Sequence, residues 1–213
     1  CCLSGSARFF KPAYSIFLIN KWLPSIKGAV KTLSKGGSFA DIGCGFGHST
    51  TMIAEQFSQS SVRGIDPHEK SIHEAQKIAE QKNLNNLTYE IASAENYSGE
   101  YDIISFFDCL HDMGDPVAAV SYAKTKLKSG GALMIIEPYA NDEVSENFNI
   151  IGQMYYSFST IACVPASKSQ KGGMALGAQA GLKKLTNVLN NGGFSQVEMT
   201  YKTASNMVIE ARV

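Results

Sequence analysis

The sequence predicts an α/β fold in which an open, mostly parallel sheet carries helices on both faces. Three observations lead there. Between Gly37 and Pro138, apolar strand-like runs alternate with segments of helical period, the pattern of repeated strand–helix–strand units. The runs are mostly apolar, as strands covered on both faces require. A glycine-rich turn follows the first run and opens a helix.

Taken in order, Pro12–Leu33 is largely apolar and helix-like and holds the single tryptophan, Trp22. It either walls a site or serves packing alone, and its periodicity favours packing. Ser38–Ile42, Ser61–Ile65, Leu87–Ala92, Tyr101–Phe107 and Ala132–Glu137 read as strands. Between them Ile72, Ala75 and Ala79, then Val117, Val120, Ala123 and Leu127, recur at helical spacing and are assigned to the core. Asp115-Pro116 supplies an N-cap and first-turn proline for the later helix, and Ser129-Gly130-Gly131 ends it. Beyond Pro138 a helix is expected over Asp142–Phe158, followed by a Ser/Gly/Lys-rich loop or lid around Pro165–Gly177 and a helix ending at Asn190-Asn191-Gly192-Gly193. Val197–Lys202 and Met207–Arg212 close the chain as an antiparallel hairpin at the sheet edge. The organisation expected is a helical segment over 1–36 and one ligand-binding domain over 37–213.

Composition narrows the function. With 19 Lys+Arg against 19 Asp+Glu there is no electrostatic footprint for a phosphodiester backbone, so no nucleic-acid partner is expected. Cys1, Cys2, Cys44, Cys109 and Cys163 are scattered without metal-type spacing and read as free thiols of a reducing, cytoplasmic compartment. No stretch approaches the roughly 20 apolar residues of a membrane span, and no secretory leader pattern is present. The chain opens Cys1-Cys2-Leu3-Ser4-Gly5-Ser6 without an initiator methionine, so the true start is expected to lie upstream or to have been removed.

The turn is Asp41-Ile42-Gly43-Cys44-Gly45-Phe46-Gly47-His48-Ser49-Thr50. Glycines let backbone amides approach a ligand at a helix N-terminus. Dinucleotide sites use the same geometry, but here the spacing is Gly-x-Gly-x-Gly, and Thr50 stands where the third dinucleotide glycine would be. Asp41, at the strand end, suits a cationic amino group. A ligand bearing an ammonium is favoured over a pyrophosphate. Asp66, ending the second strand before Pro67, can accept from both hydroxyls of a ribose, or can N-cap the helix opening at Pro67. Beside the glycine turn the ribose role is favoured.

The order of Asp41–Gly47, Asp66, Ser93-Ala94-Glu95, Asp102–His111 and Leu127–Pro138 resembles the class I S-adenosylmethionine-dependent methyltransferases over nearly all of Pro12–Val213. The resemblance implies a Rossmann-like class I methyltransferase fold: a seven-stranded, mostly parallel sheet with an antiparallel last strand. It implies S-adenosyl-L-methionine as cofactor and S-adenosyl-L-homocysteine as product. By position, Asp41 and Gly43 would hold the methionine moiety, with Gly45 and Gly47 allowing its approach. Asp66 and Pro67 would border the ribose, Ser93, Ala94 and Glu95 the adenine, and Phe107 the methionine end through its backbone. Ser93 stands where the family often has an acidic side chain, though a serine can still accept a hydrogen bond.

Methyl transfer from a sulfonium needs alignment and, for weakly acidic nucleophiles, a base. His111 lies in Asp108-Cys109-Leu110-His111-Asp112, directly after the fourth strand, where open α/β sheets bind ligands. The stretch is similar to that carrying the catalytic histidine of plant-type small-molecule O-methyltransferases, and Glu137 stands where that group keeps an orienting carboxylate. A purely structural histidine is the alternative. The second acid of that group has no counterpart near Gln179–Lys184. Phe106–Asp112, Ile136–Pro138, Ser159–Pro165 and Leu176–Gly181 also resemble bacterial methyltransferases that carry an N-terminal winged-helix-like dimerisation domain, which implies a homodimer formed through a domain missing from this chain. No metal is expected. A soft-metal site on Cys44, Cys109 and Cys163 is disfavoured, because free cysteine is commonly a small buried hydrophobe. Met154, Tyr155, Tyr156 and Phe158 either wall an aromatic pocket or pack their helix.

The expected function is therefore small-molecule methylation at oxygen. The alternative is a regulatory module that binds the cofactor or a metabolite without turnover. A nicotinamide-dependent dehydrogenase is disfavoured by the glycine spacing.

Overall fold

A computed structural model describes residues 2–213; Cys1 and the Cys2 side chain lie outside the described residues, as does the free-thiol expectation for them. The element order is α1 (Cys2–Ala13), a π-helical turn (Tyr14–Trp22), α2 (Leu23–Ser25), α3 (Ala29–Ser34), β1 (Ser38–Ile42), α4 (His48–Gln56), β2 (Ser61–Asp66), α5 (Glu69–Gln81), β3 (Leu87–Ile91), β4 (Tyr101–Phe107) and a short 3-10 turn (Leu110–Asp112). There follow α6 (Pro116–Lys126), β5 (Leu127–Pro138), a 3-10 turn (Val144–Asn147), α7 (Ile150–Phe158), a second π turn (Ser159–Cys163), α8 (Val164–Lys168), α9 (Gly181–Asn191), β6 (Gln196–Lys202) and β7 (Asn206–Arg212). The seven strands are hydrogen-bonded in the order β3-β2-β1-β4-β5-β7-β6. β1 runs parallel to β2 and to β4, β2 runs parallel to β3, and β6 and β7 are antiparallel. Of the closing pair, β6 is the edge strand and β7 lies inside it against β5. The expected antiparallel hairpin thus closes the sheet at one edge, and burial follows position: six of the seven β7 residues are buried, whereas β6 mixes exposed and half-buried residues.

By compactness the chain divides into one unit running through Phe106 together with Lys126–Met134, and a second of Phe107–Thr125 with Ile135–Val213. The helical segment ahead of β1 belongs to the first unit.

In that unit Tyr14, Leu18 and Trp22 recur every fourth residue and are all buried, a spacing that the wider π turn holds on one face. Trp22 stacks on Phe17 at 5.6 Å and meets Tyr14 edge-on at 6.0 Å, and its helix packs on α4. The segment is core. The stripe Ile72, Ala75 and Ala79 is likewise buried. Asn86 donates through Nδ2 to the carbonyls of Ala54, Phe57 and Ser60, each at 3.1 Å, and so fixes the descent from α4 into β2.

The second unit buries Ile135, Ile136, Leu185, Leu189, Phe194, Val208 and Ile209. Asp115 Oδ1 caps α6 by accepting from Ala118 N at 2.9 Å. Two expectations for this half of the chain need correction. Leu127 leaves the α6 stripe, because the helix stops at Lys126 and β5 already spans the turn at Gly130, whose φ is +75°. The helix expected from Asp142 begins only at Ile150, capped by Asn149 Oδ1 on Gly152 N at 2.9 Å, and runs on through the π turn to Lys168. Both π turns end two residues before a proline, Pro24 and Pro165. A proline inside a helix donates no hydrogen bond and crowds the carbonyl four residues back, and widening the preceding turn relieves that crowding.

Trp22 Nε1 is buried without a hydrogen-bond partner. Trp22→Phe, which removes the orphan donor and keeps an aromatic ring, is therefore expected to change stability by less than about 1 kcal/mol, whereas Trp22→Ala costs about 3–5 kcal/mol. Urea denaturation of both variants checks this; a phenylalanine variant as unstable as the alanine one would contradict it.

Candidate functional site

In the first unit, β1 delivers Asp41 into full burial, where its carboxylate accepts from Ser49 Oγ at 2.6 Å, Thr50 Oγ1 at 2.8 Å and Ser105 Oγ at 3.1 Å. Ser49 and Thr50 lie in the first turn of α4 and Ser105 lies on β4, so one carboxylate ties a helix start to two adjacent strands. Above it Gly43 N and Cys44 N both donate to the Ile65 carbonyl, at 2.8 and 3.1 Å, and Gly45 N donates to Asp66 Oδ2 at 2.9 Å. Asp66 Oδ1 accepts from His68 N at 2.8 Å. Each Asp66 oxygen thus holds one backbone amide and keeps a lone pair for a further donor.

Gly47 and Gly45 differ in what they do. Gly47 has φ +70°, and a Cβ there would lie 2.3 Å from Tyr89 Oη and 2.9 Å from Ala75 Cβ, so this glycine serves internal packing. Gly45 has φ +52° and a Cβ there would meet nothing within 4 Å. Its open side is where a ligand can approach the loop and the α4 N-terminus. Ser93 and Glu95 are exposed and Ala94 half-buried in a turn closed by Asn96 N on the Ser93 carbonyl at 3.2 Å.

In the second unit, Phe107 ends β4 buried, and Asp108 follows with φ +50°. Asp108 N donates to the Ile136 carbonyl at 2.7 Å and Asp108 Oδ1 accepts from Asn206 Nδ2 at 3.0 Å. The 3-10 turn then buries His111 against Glu137: His111 Nδ1 pairs with Glu137 Oε2, and His111 N donates to Glu137 Oε1 at 3.3 Å. On the other ring edge, His111 Nε2 lies 3.2 Å from Asp112 Oδ1. Burial pulls the His111 pKa down, but the Glu137 carboxylate, Cys163 and Asp112 push it up by more, leaving it well above the ordinary value. To accept a proton from a substrate the ring must first release this one.

The methyltransferase domain family matches residues 33–193. The chain belongs to that family. A ubiquinone biosynthesis O-methyltransferase of Acinetobacter baylyi is 28% identical over 153 residues, covering 68% of this chain and 60% of that protein. A trans-aconitate 2-methyltransferase of Deinococcus radiodurans is 30% identical over 105 residues, covering 49% of this chain and 39% of that protein. Among solved structures, an O-methyltransferase family protein from Burkholderia thailandensis superposes with a TM-score of 0.72 at 15% identity, covering 99% of this chain and 57% of that one. Human N-acetylserotonin methyltransferase in complex with SAM does so with a TM-score of 0.68 at 16% identity, covering 96% and 54%. The methyltransferase chain thus spans about 60% of the length of the curated relative from Acinetobacter baylyi, and its fold is that of class I methyltransferases.

Within the methyltransferase domain several expected residues stand differently from their sequence assignment. Asp41 is sealed beneath the loop with its carboxylate occupied by hydroxyls, which makes it a positioning residue for the loop. Asp66 does not cap a helix at Pro67: α5 opens at Glu69, and its cap is His68, whose Nδ1 accepts from Ser71 N at 3.2 Å. The expected lid over Pro165–Gly177 is pinned. Gln170 Oε1 accepts from Gly114 N at 3.1 Å, Gln170 Nε2 donates to the Asp112 carbonyl at 2.9 Å, and Ser167 Oγ donates to the Met113 carbonyl at 2.7 Å. Tyr155 is buried with Cys163 and Ala178 and packs its helix, whereas Phe158 is exposed. Cys44 is buried, and burial with the charges of Asp41 and Asp66 lifts its thiol well above the ordinary range. Among the described residues Cys44, Cys109 and Cys163 do not gather into one donor set. No helix among them is long and apolar enough to cross a membrane. Asp112, Cys163 and the Asp108–Asn206 bond were not legible as parts of a site, since Cys163 and Asn206 reach theirs only through the tertiary fold.

Burial is the largest cause pushing Asp41 up to about 6, its hydroxyl partners acting in the opposite direction. Unfolded, the group titrates near 3.9. Between those values the folded chain keeps a proton that the unfolded chain releases, so stability falls as pH rises through the window, by on the order of 3 kcal/mol in all. Asp41→Asn should lose this slope when unfolding free energies are measured in urea across it. Parallel pH dependences for the two chains would refute the assignment.

Proposed function

We propose that this chain binds S-adenosylmethionine at the glycine loop and transfers its methyl group to an oxygen of a small molecule, yielding S-adenosylhomocysteine. The observation that carries the reading is the buried His111–Glu137 pair directly after β4, in a chain of the methyltransferase domain family. In this reading Gly43 and Gly45 leave the loop open to the methionine end, and the Phe107 backbone is assigned to the same moiety. The remaining lone pairs of Asp66 take the ribose hydroxyls, with Pro67 behind, and Ser93, Ala94 and Glu95 border the adenine. Asp41 and Gly47 act indirectly, by holding the loop. The sulfonium is an activated donor, so the protein supplies alignment and a proton acceptor. Glu137 fixes the imidazole so that Nε2 faces away from it, and His111, once neutral, takes the hydroxyl proton as the oxygen attacks. The Acinetobacter baylyi relative, an O-methyltransferase of ubiquinone biosynthesis, supports oxygen as the acceptor. The same reading includes a substrate other than nucleic acid, a cytoplasmic setting and a homodimer formed through a leading domain.

Calorimetric titration with S-adenosylmethionine should give micromolar binding, about −8 kcal/mol. Asp66→Ala should abolish it. Gly45→Ala should weaken it at least tenfold, on the order of 1.4 kcal/mol, while the chain stays folded. Absence of binding to a folded chain would sink the cofactor reading, and binding without S-adenosylhomocysteine formation across a panel of phenols and carboxylic acids would favour a sensor.

Given a substrate, His111→Ala should lower turnover by about 10²–10⁴-fold with cofactor affinity unchanged. Retained turnover in that variant would remove His111 from the chemistry.

A further inference from the structure

The His111 ring has a second edge that the proposed chemistry uses only transiently. A ring nitrogen of His111, a carboxylate oxygen of Asp112 and Cys163 Sγ all lie within 4.8 Å of one another, and Nε2 is the nitrogen that Glu137 leaves over. The Nε2–Oδ1 separation is 3.2 Å. Two donors bound to one zinc-sized ion at about 2.0 Å in tetrahedral geometry stand about 3.3 Å apart, so this edge already has the spacing of a coordination polyhedron.

Three further features point the same way. Asp112 Oδ1 is buried and, apart from the His111 ring and the Cys163 thiol of the same cluster, has no partner among the described residues, while the Asp112 side chain as a whole is 41% exposed and opens a route from solvent. Cys163 is the last residue of the π turn, an irregularity of helices found frequently at functional sites. Glu137, on the opposite ring nitrogen, is the outer-shell carboxylate that metal-bound histidines typically use to fix their tautomer and raise their basicity.

We propose that His111 Nε2, Asp112 Oδ1 and Cys163 Sγ form a three-donor site for a divalent ion of the zinc class, with the fourth position left open to solvent. One nitrogen, one oxygen and one sulfur donor suit zinc or cobalt(II) and are a poor set for magnesium or calcium. On binding, the Cys163 thiol and the His111 imidazolium each release a proton, and the ion takes the Nε2 lone pair. The site does not depend on His111 being a base. Its regulatory consequence, that a bound ion silences proton acceptance, does rest on that reading.

Cobalt(II) titrated into the full chain carrying Cys1→Ser and Cys2→Ser, so that the first two thiols do not compete, should bind one ion per chain. The spectrum should show thiolate-to-metal charge transfer and the ligand-field bands of four-coordinate cobalt, and zinc should bleach it. Cys163→Ser in that background should abolish the charge-transfer band, and Glu137→Gln should weaken binding about 10- to 100-fold. If Cys163→Ser does not fold, Asp112→Asn at the partly exposed position carries the test and should weaken binding at least about tenfold. A folded chain, checked by circular dichroism, that leaves equimolar cobalt unbound would overturn the proposal. So would a charge-transfer band that survives Cys163→Ser. In either case His111 is an imidazolium held between two carboxylates. The readout needs neither cofactor nor turnover, so failure of metal binding and failure of methyl transfer are separate results.

Discussion

A single buried carboxylate organises the half of the molecule that carries the glycine loop. Asp41 brings to one point the end of β1, the first turn of α4 and the middle of β4, and each contact is a hydroxyl donating to an oxygen with no access to water. Leaving such a group unsatisfied would cost more than any one of its bonds contributes, so the three hydroxyls hold together or not at all. The glycine loop rests on that knot, and Asp66 anchors its crest through Gly45. Conformations that are costly for other residues are tolerated because the layer below admits no alternative.

The second half is organised around a charge. Glu137 at the end of β5 meets both the ring and the backbone amide of His111, while Gln170 and Ser167 hold the carbonyls of Asp112 and Met113. The turn after β4 is thereby fixed from two sides of its own unit. That fixation explains why a segment rich in serine, glycine and lysine is ordered: its polar side chains satisfy backbone groups that the turn leaves open.

Strands and glycine loop were legible in the sequence because they obey short-range rules. Alternating strand and helix patterns placed β1 and β4 to the residue, and the spacing of Gly43, Gly45 and Gly47 identified the turn. The roles of those glycines were not legible, since separating Gly47 from Gly45 depends on Tyr89 and Ala75, which arrive from elsewhere in the chain. Asp41 looked like a ligand-facing acid because its hydroxyl partners Ser49 and Thr50, although close in sequence, show their orientation only once α4 is formed. Cys163 could not be joined to His111 by any local pattern. The π turns did leave a trace in Pro24 and Pro165, but a reading based on a 3.6-residue period passes over them.

The π turn at Ser159–Cys163 also bears on how this helix can vary in length. A π turn is an α-helical stretch carrying a surplus residue, so deleting one residue there would let the helix rewind to regular geometry without breaking it. The surplus is absorbed within that one widened turn, so the residues beyond it would keep their phase after such a deletion. Helix content would survive, and Ser167 would stay on the side that meets the Met113 carbonyl. A deletion anywhere in the regular part of the same helix would instead turn everything downstream by about 100°, so the π turn is the place where this helix can change length by one residue.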